Sequence, residues 1–506
     1  MRGNIYKKLI LIAAVLAALC LLLAGCGETS ETATQGGDNT EQLIVSDAGV
    51  LTGVTEVGKT ATVIDIPDTY NGIVITSIGQ YAFVGCTSLT SITIPDSVTS
   101  IGDAAFRNCT GLTSVTIPDS VTSIGWGAFY NCTGLTSVTI PDSVTSIGES
   151  AFFGCTGLTS ITIPDSVTSI GESAFFGCSS LESITIPGRN RQAKSCNYSL
   201  GYIFGTNNYP GGTAMVDSTN ATHYLPATLR SVTVTGDNIA EYGVFYGCTG
   251  LTSITISDSV TSIGSCAFCG CTGLTSITIP DSVTSIGVSA FFGCTGLTSI
   301  TIPDSVTSIG EGAFKGCTGL KRITIPDSVT SIDQYAFSGC TGLTSITIPN
   351  SVMSIGQYAF GDCTSLTSVT VRNGVTSISR GAFSGCTGLK RITIPDSVTY
   401  IGDSAFSGCT GLTSITIPDS VTSIGEYAFR DCTSLTNVTI GNGVTSIGAR
   451  AFNGCESLMR ITDMGTKAKW ETYITVSQSH TRDHSCVVYC RNDERINITI
   501  YDCIYG

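Results

Sequence analysis

Apolar and polar residues alternate along short stretches of this chain, then change period, and the same change recurs every 23 residues. In the unit that opens at Cys340, Leu343, Ile346 and Ile348 are separated by Thr and Ser up to Pro349. That is the period of a strand, closed by a residue that cannot donate to a ladder. The Asp-Ser that follows the proline in most units is turn chemistry, and Val352 with Ile355 before Gly356 predicts a second short strand. Ala359-Phe360 with Cys363 predicts one helical turn.

A fixed period of this length is the signature of a solenoid, in which each coil buries its apolar side chains only by stacking on the next. Cys86, Cys109, Cys132, Cys155 and Cys178 lie 23 apart, and the register resumes at Cys248 and runs to Cys455. Sixteen of the 19 phenylalanines fall in one column from Phe83 to Phe452. About sixteen stacked coils are expected. Their strands form a parallel sheet on a concave face, and short strands and helical turns form the back. A threonine recurs at the same outward strand position, from Thr93, Thr116 and Thr139 through to Thr462. Threonine suits a solvent-facing strand.

The unit Leu-x-x-Ile-x-Ile-Pro-x-x-Val-x-x-Ile-Gly-x-x-Ala-Phe-x-x-Cys resembles the BspA-like (treponemal-type) leucine-rich repeat family of bacterial surface proteins, over roughly residues 60 to 462. The resemblance implies a curved leucine-rich repeat horseshoe on the cell surface. It also implies a role in adhesion to host matrix, host cells or other bacteria, with a protein or glycan ligand.

The two ends differ from the array. Arg2, Lys7 and Lys8 precede an apolar run from Leu9 to Leu23, and Leu23-Ala24-Gly25-Cys26 follows. Residues 1–25 therefore read as a lipoprotein signal peptide, with lipidation of Cys26 anchoring the chain to a membrane. Residues 26–42 are a polar, low-complexity tether. An N-terminal cap and first coil are expected over 43–83, the solenoid over 84–462 and a C-terminal cap over 463–506. In that last segment His480, His484, Cys486, Cys490 and Cys503 have spacing suited to zinc, but a plain end cap with one disulfide is the reading favoured and no metal site is assigned.

Without Arg2, Lys7 and Lys8 the 24 basic residues become 21, against 38 acidic ones. Nucleic acid is excluded as a partner on that charge. Charged residues make up only 12% of the chain, so Ser and Thr coat the sheet and a monomer is expected. The chain has three histidines, His223, His480 and His484, and no nucleophile–base pair, so neither catalytic residues nor a cofactor are expected. The aspartates after the prolines, such as Asp96, Asp119 and Asp142, make turns, and as a row of like charges they would also suit calcium.

Fifteen of the 23 cysteines form the repeat column. They are expected to be buried thiols, because parallel coils hold Cβ atoms near ~4.8 Å, beyond the usual disulfide reach of about 3.5–4.5 Å. Cys266, Cys269 and Cys271 make a C-x-x-C-x-C cluster, but Cys271 belongs to the column and no metal site is assigned to the three.

Function is expected where the repeat breaks. Phe175 to Phe204 spans 29 residues and Phe204 to Phe245 spans 41, so two loops are inserted. The smaller, about 188–199, holds Arg189, Arg191 and Lys194, and the larger, about 206–226, holds Tyr209 and Tyr224. Insertions in solenoids gather on one face, and Arg and Tyr are frequent contact residues. A quieter break puts Arg322, Arg391 and Arg460, each three coils from the next, where most coils have Ser. Lys321 and Lys390 stand beside two of them. These residues are the candidate ligand-binding set. An envelope scaffold without a host ligand and a glycan-capturing lipoprotein are the alternative functions.

Overall fold

The structure, a computed structural model, describes residues 41–187, 200–216, 220–235, 239 and 243–463, and the backbone of strands Ser485–Tyr489 and Arg495–Thr499. The chain divides into units 1–39 and 40–506, and all described residues belong to the second. Cys26 and the apolar run before it lie outside the described residues. Among the described residues, no helix is long and apolar enough to cross a membrane.

The second unit is a parallel solenoid of about 17 turns. Each turn contributes a front strand, as in Ser137–Thr139, and a two-residue second strand, as in Ser146–Ile147. Consecutive front strands pair parallel at the same repeat position, Ser137 with Ser114 and Thr139 with Thr116. Second strands do likewise, Ile124 with Ile147. The outward threonines Thr93, Thr116, Thr139 and Thr162 are exposed, and the isoleucines and valines between them are buried.

The proline's effect on the ladder is visible where it is missing. Arg372 and Gly441 occupy the proline position of their coils, and their N–H groups donate to Ile348 O and Ile417 O at 3.1 and 2.8 Å. Proline cannot make that bond. Accordingly the strand pairs Ser345–Ile348 with Ser368–Val371, and Ser414–Ile417 with Asn437–Ile440, run one residue longer than most.

The predicted helical turn on the back is a run of i→i−3 turns interleaved with bonds between coils. Ala105 N–H donates to Gly102 O at 3.3 Å and Arg107 N–H to Ala104 O at 3.1 Å, whereas Phe106 N–H donates to Ala128 O of the next coil at 2.7 Å. A left-handed residue opens each such run, for example Ser150 at φ 56° and Ser289 at φ 53°.

Inside, Phe83 to Phe175 and Phe245 to Phe452 form two stacks with ring centroids 5.1–5.5 Å apart. The column cysteines are buried free thiols, and most donate to the phenylalanine carbonyl of the preceding coil, as Cys340 does to Phe314 O at 3.1 Å. Cysteine thus serves as a small core side chain that also carries a weak donor. Burial raises several of them: Cys178, Cys294 and Cys409 are pushed up to about 12.

At the N-terminal end, strands Leu43–Val45 and Val50–Val54 form an antiparallel pair whose second member starts the second sheet against Ser77–Ile78. At the other end Ser485–Tyr489 pairs parallel with Arg460–Asp463, and Arg495–Thr499 pairs antiparallel with Ser485–Tyr489.

Candidate functional site

Arg322, Arg391 and Arg460 each open a front strand, Arg322–Thr324, Arg391–Thr393 and Arg460–Asp463. They sit in register with Ser299, Ser368 and Asn437 of the preceding coils. All three are exposed, as are Lys321 and Lys390. Alternation explains this placement: the buried Ile323, Ile392 and Ile461 that follow must face the core, so the residue before each faces out. Three coils separate successive arginines, which corresponds to roughly 14 Å along the ladder.

The front sheet is not continuous at this stripe. An eleven-stranded sheet ends on Arg322–Thr324, a three-stranded sheet runs from Ser345–Ile348 to Arg391–Thr393, and a five-stranded one starts at Ser414–Ile417. Each seam lies between an arginine strand and one of the strand pairs lengthened by the loss of proline. A cleft opens at each. The first, of about 530 Å³, is lined by Arg322, Thr324, Asp327, Thr347 and Asp304, with Arg372 from two coils on. The second, of about 520 Å³, is lined by Arg391, Thr393, Asp396, Thr416 and Asp419. Among the described residues, Arg322 and Arg391 have no carboxylate within ion-pair distance, so their guanidinium groups keep all five donors for solvent or a ligand.

Sequence reasoning singled out the arginines but not the clefts or Arg372. Its signal was present in Val371-Arg372-Asn373-Gly374, where Ile-Pro-Asp-Ser is usual.

The two insertions are placed differently. Arg189, Arg191 and Lys194 lie outside the described residues. Helix Leu200–Phe204 lies between the two insertions, and the larger forms the antiparallel hairpin Gly212–Val216 with Thr222–Pro226. Tyr209 is 8% exposed, its ring edge-on to Phe176 at 4.9 Å, so it packs the insertion onto the solenoid. Burial pushes its phenol above the ordinary range. Tyr224 is half-buried in the hairpin, and its N–H donates to Gly205 O at 3.1 Å. The structure therefore brings the arginines onto one face, with exposed Lys321 and Lys390 next to two of them in the chain, and puts the tyrosines in the insertion's own packing.

Among the described residues, no group of three or more His, Cys, Asp or Glu is arranged to hold a metal ion. Of the C-terminal residues weighed for zinc, only the backbone of Cys486 is described.

Parallel in-register coils with a buried leucine, isoleucine and phenylalanine core define the class as a leucine-rich repeat solenoid. The chain belongs to the BspA type leucine rich repeat family, whose six-copy repeat region matches it three times, over residues 76–199, 238–367 and 353–475. Among solved structures, a leucine-rich repeat protein from Bacteroides ovatus is 31% identical over 85% of this chain and 94% of its own, with a TM-score of 0.45. A leucine rich cell surface protein from Faecalibacterium prausnitzii is 29% identical over 88% of this chain and 98% of its own, with a TM-score of 0.32. The T. pallidum leucine rich repeat protein is 30% identical over 39% of this chain and 80% of its own, with a TM-score of 0.29. No curated protein matches.

Proposed function

We propose that this protein is a lipid-anchored bacterial surface protein that binds a macromolecule, in adhesion to host matrix, host cells or neighbouring bacteria, through the front face of its solenoid. The observation that carries this reading is the stripe of exposed arginines at equal spacing beside two clefts, on a face otherwise coated with Ser and Thr. A lattice of identical short side chains offers few anchors, whereas interfaces draw most of their energy from a few Arg, Tyr and Trp residues. An anionic group on an extended ligand would meet Arg322 with Lys321, and a second would meet Arg391 with Lys390. The carboxylates Asp327 and Asp419 at the other end of each cleft favour a ligand that also carries hydroxyl or amine donors. The domain boundaries drawn from the sequence and the placement at the cell surface belong to this proposal, as does the anchor at Cys26.

The test is binding of purified residues 43–506 to matrix proteins, epithelial cells and a glycan array, in parent and Arg322→Ser/Arg391→Ser/Arg460→Ser forms. Serine restores the repeat consensus, so the fold is expected to persist and the affinity to fall about tenfold or more. Equal binding by both forms would move the site elsewhere. Fatty-acid labelling that survives Cys26→Ala would remove the anchor, and a solenoid that protease cannot shave from intact cells would favour an envelope scaffold.

A further inference from the structure

Every column cysteine has a place in the core, but Cys266 and Cys269 do not belong to the column. Cys266 takes the left-handed position of its coil, φ 55°, where other coils carry Ser150, Ser173, Ser289 or Ser404. Cys269 takes the place of Phe153, Phe176 or Phe292 on the back. The turn between them is closed by Cys269 N–H donating to Cys266 O at 3.1 Å. A four-residue turn of this kind holds its end Cα atoms within about 7 Å, the range that a disulfide spans. Cys266 is partly exposed, whereas Cys269 is 5% exposed. The third cysteine of the cluster faces the other way, with Cys271 Sγ donating to Phe245 O at 3.0 Å in the core. The C-x-x-C-x-C motif thus divides into a dithiol on the back, of which Cys266 reaches solvent, and a core thiol.

We propose that Cys266 and Cys269 form a reversible thiol–disulfide exchange site on the back of the solenoid, whose substrates are low-molecular-weight disulfides of the glutathione type. Cys266, the sulfur that solvent reaches, attacks as a thiolate, forms a mixed disulfide and releases one small thiol. Cys269 then attacks the Cys266 sulfur, forming the Cys266–Cys269 bond and releasing the second small thiol. Two electrons pass to the small disulfide, and the two protein S–H protons end on the released thiols. Contact with Cys266 and burial both hold Cys269 above the ordinary thiol range, which suits the resolving position rather than the attacking one. The column thiols take no part because they face the core, as Cys271 does toward Phe245 O.

The experiment uses the full chain, reduced, desalted, and incubated with oxidised glutathione, followed by differential alkylation and peptide mass mapping. Cys266 and Cys269 are expected to become unreactive together, their peptide lighter by two hydrogens, at least about tenfold faster than Cys271 or Cys294 is modified. Cys269→Phe and Cys266→Ser both restore residues found at these positions in other coils, so both are expected to fold. The first is expected to stop at a glutathione adduct on Cys266, and the second to leave Cys269 unmodified. A parent chain that keeps the adduct on Cys266, or whose two thiols stay alkylatable, would overturn the proposal. So would a Cys266→Ser variant in which Cys269 reacts as fast as Cys266 does in the parent.

Discussion

Two stretches of the same solenoid solve the stacking problem differently. From Phe245 to Phe452 the rings stack at near-constant spacing, thiols from Cys271 onward reach the carbonyl of the coil before, and the second sheet runs on through nine strands. Between Phe175 and Phe245 this order lapses. Phe204 tilts by 52° at 6.3 Å from Phe175, and Cys248 meets the sulfur of Met215 at 3.9 Å instead of a carbonyl. The second sheet divides there into seven-stranded and nine-stranded parts. The front sheet nevertheless crosses without a slip: Ser183–Pro187 pairs with Ser231–Thr235 over five residues, and that strand pairs with Ser253–Ile256. Continuity across the insertions therefore rests on the front ladder, and at the arginine seams on the second sheet.

The largest effect that would test this contrast is expected in alkali. Cys294 and Cys409 of the regular stretch are raised from 9.0 to about 12 by burial. The folded chain keeps these protons while the unfolded chain releases them above pH 9. Their contribution is therefore complete below about pH 9 and is lost as pH climbs toward 12, at about 1.4 kcal/mol per unit for each thiol. Urea midpoints followed by circular dichroism from pH 8 to 11 are expected to fall steeply, and a flat profile would mean that the thiols ionise without unfolding.

Next in size is the phenylalanine column. Phe337→Ala, between rings at 5.3 and 5.2 Å, is expected to cost about 3–5 kcal/mol, and Phe204→Ala less because its neighbour is tilted and the site can relax. Hydrogen exchange should localise each loss to the mutated and adjoining coils, as nearest-neighbour stacking requires. Equal costs would deny that the two regions are packed differently.

A smaller contrast lies in the thiols. Cys340→Ala removes a bond to Phe314 O and is expected to destabilise by about 1–2 kcal/mol. Cys248→Ala loses only the contact with sulfur and is expected to cost less, as thermal midpoints would show. Smallest is Arg391→Ser, expected to change stability by under about 0.5 kcal/mol because the side chain is exposed and Ser is usual there. A large loss would mean that the arginines hold the seams together.

Much of this was legible in the residues. The period of 23 and its alternation determined the solenoid, the in-register sheet, the buried columns and the outward direction of Arg322, Arg391 and Arg460, because each follows from repetition and local geometry. The same repetition made the insertions visible as gaps between phenylalanines. Other features depended on how neighbouring coils meet. Missing prolines lengthen the ladder of the preceding coil, and clefts open at the seams beside those pairs. Tyr209 turns inward onto Phe176, and Cys271 points away from Cys266 and Cys269. None of these is encoded within a single unit. A repeat specifies what each coil offers to its neighbours, whereas hydrogen-bond completion and ring packing between coils decide where the stack stays closed and where it opens.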